Sequence, residues 1–240
     1  MQNLHLLRVT ILALLALCLA AAPALAKSDQ ELAAASQNPV ADMISLPMKN
    51  IFNFDRGSED AFAYTFEMQP VYPVNLGKYN LINRVILPIH YQEPAYPGMD
   101  YKTGLGDTIY QAFFSPADAG PLICGAGPAF ILPTHSENQL GNDKWAAGPA
   151  AVALTIRGPW VMGFLGQHFW DFAGDSDAAN VNVSSLQYFI NYNTPDYYLN
   201  TSPTMSYNWD ADSDEACERW GHERWGQRDG VRSLKLIIHI

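Results

Sequence analysis

Tyr197-Tyr-Leu-Asn-Thr-Ser-Pro-Thr-Met-Ser-Tyr-Asn-Trp209 is the stretch whose pattern decides the fold. Counted in twos, Asn200, Ser202, Thr204, Ser206 and Asn208 fall on one side. Tyr197, Leu199, Met205, Tyr207 and Trp209 fall on the other, with Thr201 and Pro203 between the two sets. Side chains alternate along a strand, so the pattern predicts a strand with one polar and one apolar face. At about a dozen residues it exceeds the ~5–6 of an ordinary strand. It is long enough to cross a bilayer at a tilt, which takes ~9–11 residues. Sheets of soluble proteins alternate as well, so the rest of the chain has to decide between the two.

Nine further apolar or alternating segments join it: 48–54, 61–72, 79–91, 108–114, 122–133, 145–155, 160–170, 183–192 and 231–240. Most are bounded by Gly, Pro, Asn or Asp, as turns are. The connections run, in order, about 6, 6, 16, 7, 11, 4, 12, 4 and 21 residues. From the second onward, short and long alternate. Short turns at one end and long loops at the other are the signature of a membrane-spanning antiparallel barrel. A soluble meander has no reason to gather its long loops at one end.

The faces agree where they can be separated. Ala61, Ala63, Thr65, Glu67 and Gln69 oppose Phe62, Tyr64, Phe66 and Met68; Ser185, Gln187 and Asn191 oppose Leu186, Tyr188, Ile190 and Tyr192. Segments 145–155 and 160–170 are mixed and yield no assignment. Aromatic residues gather near the predicted strand ends. Trp145, Trp170 and Trp209 adjoin long connections, and Tyr72, Tyr79, Trp160, Tyr192 and Tyr197 adjoin short ones. Two such belts suit rings with a polar tip at headgroup level, although aromatics favour strands in any case.

Residues 1–26 have the form of an export signal: Arg8, an apolar run over 9–22, and Ala24-Leu-Ala26 as a small-x-small cleavage site. Residues 27–47 are expected to form a leader, opened by a capping box at Ser28-Asp-Gln-Glu31 and a short Ala-rich helix ending before Asn38-Pro39. An exposed leader is the simpler expectation; a small plug or lid on the inner side of the membrane is the other. The strands over 48–215 make one domain, and 216–240 is a divergent end. Past residue 26 there is no run of 18 apolar residues, which excludes helical membrane spans. Two cysteines, Cys124 and Cys217, make no disulfide framework, and the segment map puts them at opposite ends of the barrel, so free thiols are expected.

Few constellations carry chemistry. A hairpin turning through 73–78 would set Glu67 opposite Arg84 on the polar face, predicting an ion pair inside the sheet, where a charge needs a partner. Between 27 and 215 there are 21 acidic residues, and fifteen fall in the long connections, so one end of the molecule is strongly negative. Such a field concentrates cations and repels anions, and divalent cations there could bridge to anionic lipid. Asp210-x-Asp212-x-Asp214 begins like a calcium loop but fails further on, with Glu215 and Gly221 where the loop needs Gly and a bidentate Glu. His90, His135, His168, His222 and His239 show no ligand spacing, so no metal site and no cofactor is expected. Gly-x-Ser-x-Gly, phosphate-cradling glycine loops and His-Glu-x-x-His are absent, so no enzyme is expected. The net charge of −10 argues against a nucleic-acid surface.

Asn38-Pro-Val-Ala-Asp42, Phe113-Phe-Ser-Pro116, Gly125-Ala-Gly-Pro128 with Leu132-Pro-Thr134, Lys144-Trp-Ala-Ala-Gly-Pro149, Trp170-Asp-Phe-Ala-Gly-Asp175 and Ile190-Asn-Tyr-Asn193 together resemble a family of bacterial outer-membrane barrels. Its members are named as transporters, or mislabelled neuromedin U, and it is related to barrels linked to phenol-degradation gene clusters. The resemblance covers roughly 36–212 and implies a β-barrel that moves small solutes; it supplies no catalytic residues. It stops near Asp212. Beyond, 216–240 holds four of the chain's eight arginines and is net basic, whereas 27–215 has eight Lys and Arg against 21 acids. A reading-frame change or truncation would give such a break; a natural basic loop and a tenth strand, with Leu234, Leu236, Ile238 and Ile240 alternating against Ser233, Lys235, Ile237 and His239, is the other account.

The expectation is therefore an all-β protein, an antiparallel transmembrane β-barrel of about ten strands with a short N-terminal helix. It would sit in the bacterial outer membrane among lipid and pass an unidentified small solute. Glu67, Gln69, Arg84, Gln187, Asn191, Asn200, Ser202, Thr204, Ser206 and Asn208 are its candidate lumen-facing residues. Tyr79, Trp145, Trp160, Trp170, Tyr192, Tyr197 and Trp209 are its candidate girdle. A structural or adhesive envelope barrel, and a soluble exported β-sheet binding protein, are the alternatives.

Overall fold

The computed structural model describes Ala35 and residues 37–194 and 198–210, together with the backbone of strands 217–219 and 234–239. The expected signal segment, nearly all of the leader helix, Tyr197, Asp212, Asp214, Glu215 and His222 lie outside the described residues.

The fold is one antiparallel sheet of fourteen strands: β1 (Met48–Arg56), β2 (Ala61–Met68), β3 (Val71–Asn75), β4 (Tyr79–Gln92), β5 (Lys102–Leu105), β6 (Thr108–Pro116), β7 (Ile123–Leu132), β8 (Lys144–Arg157), β9 (Trp160–Gly174), β10 (Asn182–Asn193), β11 (Tyr198–Thr201), β12 (Thr204–Asn208), β13 (Cys217–Arg219) and β14 (Leu234–His239). Neighbours run β13-β12-β10-β9-β8-β7-β6-β4-β2-β1-β14, with β11 on β10 and with β3 and β5 on β4. Each of the ten expected segments contains a strand, and β5 and β13 lie outside all of them. Among the described residues no ladder joins β13 to β14, so the sheet has two ends.

Prolines and one bulge explain why the strands outnumber the segments. β2 and β3 pair with β4 in a single register, Met68↔Leu87 and Val71↔Arg84, broken only at Gln69-Pro70. β11 and β12 likewise share one register on β10 across Ser202-Pro203. A proline has no N–H for the ladder, so each line of backbone is interrupted without changing direction. Between β5 and β6 the register against β4 slips by one residue at Gly106-Asp107, as at a bulge.

The connections at one end are 57–60, 93–101, 133–143, 175–181 and 209–216; those at the other are 76–78, 117–122, 158–159 and 194–197. The expected alternation of loop lengths is present, and every longer loop except 57–60 is longer than every turn at the opposite end.

One face of the sheet is buried and carries the apolar core, including Ile82, Phe113, Val152, Leu154, Val161, Leu165, Phe169 and Phe189. This face is concave. Gln111 on β6 hydrogen-bonds Gln167 on β9 although β7 and β8 lie between them. Three strand spacings amount to ~14 Å on a flat sheet, so the sheet must curl to bring them together. In β8, Ala146, Ala150, Val152 and Leu154 are buried, while Trp145, Pro149 and Ala151 are exposed. That segment resisted assignment from sequence because both of its faces are apolar.

The repeated Ala-Gly-Pro-Ala at 126–129 and 147–150 builds a thin place in the wall. Pro128 and Pro149 stand opposite each other in the β7–β8 ladder. On their far sides the ladders to β6 and β9 each miss two pairs at this height. The carbonyls of Ala112 and His168 stand against Gly127 and Gly148, so close that any Cβ there would clash. Glycine before each proline is what permits the approach.

Candidate functional site

The concave face carries a row of polar side chains reaching from β1 to β9. Lys49 Nζ lies 3.9 Å from Glu67 Oε2, and Gln69 Nε2 donates to the same oxygen at 2.7 Å. Arg84 Nη2 donates to Gln69 Oε1 at 2.6 Å, and Arg84 Nη1 to Gln111 Oε1 at 3.2 Å. Gln111 Nε2 then donates to Gln167 Oε1 at 2.6 Å. Gln69 and Gln111 each accept on oxygen and donate on nitrogen, so the two link the row from Glu67 to Gln167, as buried polar groups require.

The expected Glu67–Arg84 ion pair is not formed. The β2–β3 line pairs with β4 four residues out of the expected register, placing Pro88 opposite Glu67 and Val71 opposite Arg84. The turn closes at 76–78, not over 73–78, and Gln69 occupies the space between the two charges. Glu67 finds its counter-ion in Lys49. Lys49, Gln111 and Gln167 were not singled out from sequence; alternation within 108–116 would have put Gln111 beside Phe113 and Ser115, a polar residue on a buried face.

A second polar group lies on β10–β12. Asn200 donates its amide to Asn191 Oδ1, Ser202 Oγ donates to Asn200 Oδ1 at 3.1 Å, and Gln187 Nε2 to the Ser202 carbonyl at 3.4 Å. Asn191 is 2 % exposed and Ser202 8 %. Thr204, Ser206 and Asn208 are half-buried, alternating with exposed Met205, Tyr207 and Trp209. The ten lumen-facing candidates thus share the buried side of the sheet, in two groups.

The convex face is its chemical opposite. Leu186, Tyr188, Ile190 and Tyr192 are all exposed on β10. Toward the short turns Tyr79 and Trp160 are exposed, the latter with its ring centroid 4.7 Å from that of Tyr192. Toward the long loops Trp145, Trp170 and Trp209 are exposed. Trp209 Nε1 donates to Ser184 Oγ at 2.9 Å, which lies 2.7 Å from His168 Nδ1, and the His168 ring packs on Trp170. Over the Gly-Pro pairs the small side chains of Ala126, Pro128, Pro149, Ala151 and Gly166 leave an open groove of about 780 Å³.

Over its described residues 37–47, the leader does not stand clear of the sheet. Gln37 Nε2 donates to Asn193 Oδ1 at 2.8 Å and Asn193 Nδ2 returns a bond to Gln37 Oε1 at 3.2 Å. Val40 is 4 % exposed and belongs to the core. Its Cγ1 lies 3.1 Å from where a Cβ on Gly125 would stand. Ser45 then pairs with Val71 through two backbone bonds of 3.2 and 2.9 Å.

At the long-loop end His135 sits between two carboxylates, with Nδ1 2.6 Å from Asp107 Oδ1 and Nε2 3.2 Å from Asp143 Oδ1. Asp107 also accepts from the backbone N–H of Asn142 at 2.7 Å, and Lys144 lies 3.7 Å from Asp171. The bonds from His135 and Asn142 to Asp107 tie loop 133–143 to the β5–β6 bulge. No spacing in the sequence announces them, because Asp107 comes from a different connection. Cys124, near the short turns, is exposed and free. Among the described residues no cluster of three or more His, Cys, Asp or Glu has metal-holding geometry. The chain matches no family model and no characterised protein in sequence.

Proposed function

We propose that this chain closes into a β-barrel of the bacterial outer membrane and passes small solutes through its interior without covalent chemistry. The observation that carries the reading is the inversion of polarity on β10: Leu186, Tyr188, Ile190 and Tyr192 are 37–42 % exposed, while Asn191 and Asn193 beside them are 2 % and 6 % exposed. Water outside would favour the reverse; hydrocarbon outside favours this. The loop lengths, the aromatic rings near both ends and the resemblance in the Gly-Pro and Trp-Asp-Phe-Ala-Gly-Asp motifs point the same way. In lipid an unpaired strand edge leaves backbone groups with no partner, which gives β13 and β14 a reason to close the sheet.

The path is narrow. Phe113, Phe169 and Phe189 fill much of the concave side, leaving the polar row from Lys49 to Gln167 and the Asn191–Asn200 group to accompany a solute. Acidic residues in the long loops, such as Glu93, Glu137, Asp175 and Asp177, favour cations over anions at the mouth. The filled interior also supports a second reading, a structural or adhesive barrel without transport.

Fractionation followed by a cold detergent gel, then leakage of graded sugars from liposomes, tests the proposal. The expected result is an embedded band that shifts on boiling, with leakage of small sugars and retention of large ones. An embedded but impermeable protein would favour the structural barrel. Release with the periplasm by osmotic shock would sink both.

A further inference from the structure

We propose that residues 37–44 form an internal strap that occludes the short-turn end of the interior, and that letting go at Gln37 opens it. The inference rests on the barrel reading above. The strap begins at Asn193 on β10 and ends at Val71 on β3, and β9, β8, β7, β6 and β4 lie between these in the sheet. Its middle is pressed into the concave wall by Val40, which packs with Phe113 over the space that Gly125 leaves. A side chain at 125 would crowd Val40, so the wall is shaped to receive the strap.

The two anchors differ in kind. The Ser45 end is continuous with β1 and held by paired backbone bonds, so it is a fixed hinge. The Gln37 end is held by two bonds between neutral amides. An uncharged solute with hydroxyl or amide groups can replace both bonds at little cost, since it offers the same donors and acceptors. Within the strap, Ala41 N–H bonds the Asn38 carbonyl and Val40 N–H bonds Asn38 Oδ1, so a local turn moves as one piece. The strap is therefore poised to swing about Ser45.

The test uses Gln37→Cys with Asn193→Cys in a chain carrying Cys124→Ser and Cys217→Ser, bridged by a reducible bis-maleimide and placed in liposomes loaded with a small sugar. Leakage is expected to be at least tenfold slower while bridged than after reduction. Val40→Asp, unbridged, is expected to leak faster than the parent while keeping the same gel shift. Equal leakage before and after reduction, with bridging verified by mass, overturns the strap and leaves the barrel standing. Failure of the two thiols to bridge in protein that still shows the gel shift overturns the strap's placement. An embedded protein that leaks in neither state, nor as Val40→Asp, overturns the strap and the transport reading together.

Discussion

Gln111 on β6 donates its side-chain amide to Gln167 on β9 at 2.6 Å, over the top of two intervening strands. What lies beneath the bond explains it. Ala129, Ala146 and Ala150 are small and buried, so nothing on β7 or β8 rises between the two glutamines. Curvature brings the strands near, and the hydrogen bond in turn favours the curved form.

Removing both members of that pair should cost less than the sum of the two single changes. Gln111→Leu strands Arg84 Nη1 and the Gln167 amide, a loss of ~1–3 kcal/mol for each buried group left unpaired. The double change with Gln167→Leu strands Arg84 alone. Urea unfolding of the refolded protein in lipid vesicles, taken as a double-mutant cycle, should show a coupling above ~0.5 kcal/mol. Strict additivity would mean the two glutamines act independently.

Arg84→Lys should lose about 1 kcal/mol, because a lysine cannot present the flat fork that serves Gln69 and Gln111 at once. Arg84→Met, which strands both amide oxygens, should cost more. The order wild type, Lys, Met in unfolding midpoint checks this; Lys and Met behaving alike would show that only the charge matters.

On the convex face, Leu186→Arg should reduce assembly in the membrane, since Leu186 lies near the middle of β10 and a cation at mid-bilayer on the lipid side of a barrel costs ~2–4 kcal/mol. Trp209→Arg, near the strand end, should cost less. The fraction of heat-shifted protein after refolding into vesicles measures both. If Leu186→Arg assembles as well as the parent, the convex face meets water and the barrel reading fails.

At the thin place in the wall, Gly127→Ala and Gly148→Ala should each cost ~1–3 kcal/mol by overpacking against a backbone carbonyl, which has little room to retreat. Gly120→Ala, in open space on a short turn, is the matched control and should be close to neutral. Unfolding midpoints of the three variants give the comparison.

His135→Ala should loosen loop 133–143 without unfolding the sheet, because it removes the link between Asp107 and Asp143 while the strands keep their ladders. Limited proteolysis of intact vesicles should then cut within 133–143 faster than in the parent, with the gel shift unchanged. Equal cutting would mean that the Asn142–Asp107 bond alone holds the loop.

Much of this was legible in one dimension wherever the two faces differ in polarity. In β10 and β12 the alternation of Gln187, Asn191, Thr204, Ser206 and Asn208 with Leu186, Ile190, Met205 and Tyr207 matches the alternation of burial. Where both faces are apolar, as in β8, period two carries no information, and only packing shows which side is covered. The Glu67–Arg84 expectation failed for a related reason. Register depends on where a turn closes, and a small change in the turn moved every pair. The polar row, the His135 bridge and the Gln37–Asn193 pair join residues 18, 28, 56 and 156 positions apart, distances at which no local pattern survives.

The sequence by itself determined the all-β class, the approximate place of most strands, the alternation of short and long connections and the face of each strand that mixes polar with apolar residues. These are local properties, set by side-chain alternation and by what a turn needs. Only the tertiary structure decided register, curvature, the partners of Glu67 and Arg84, and the burial of the leader against the concave wall. Those depend on which strand lies beside which and how far the sheet curls, and both are settled by the packing of the whole.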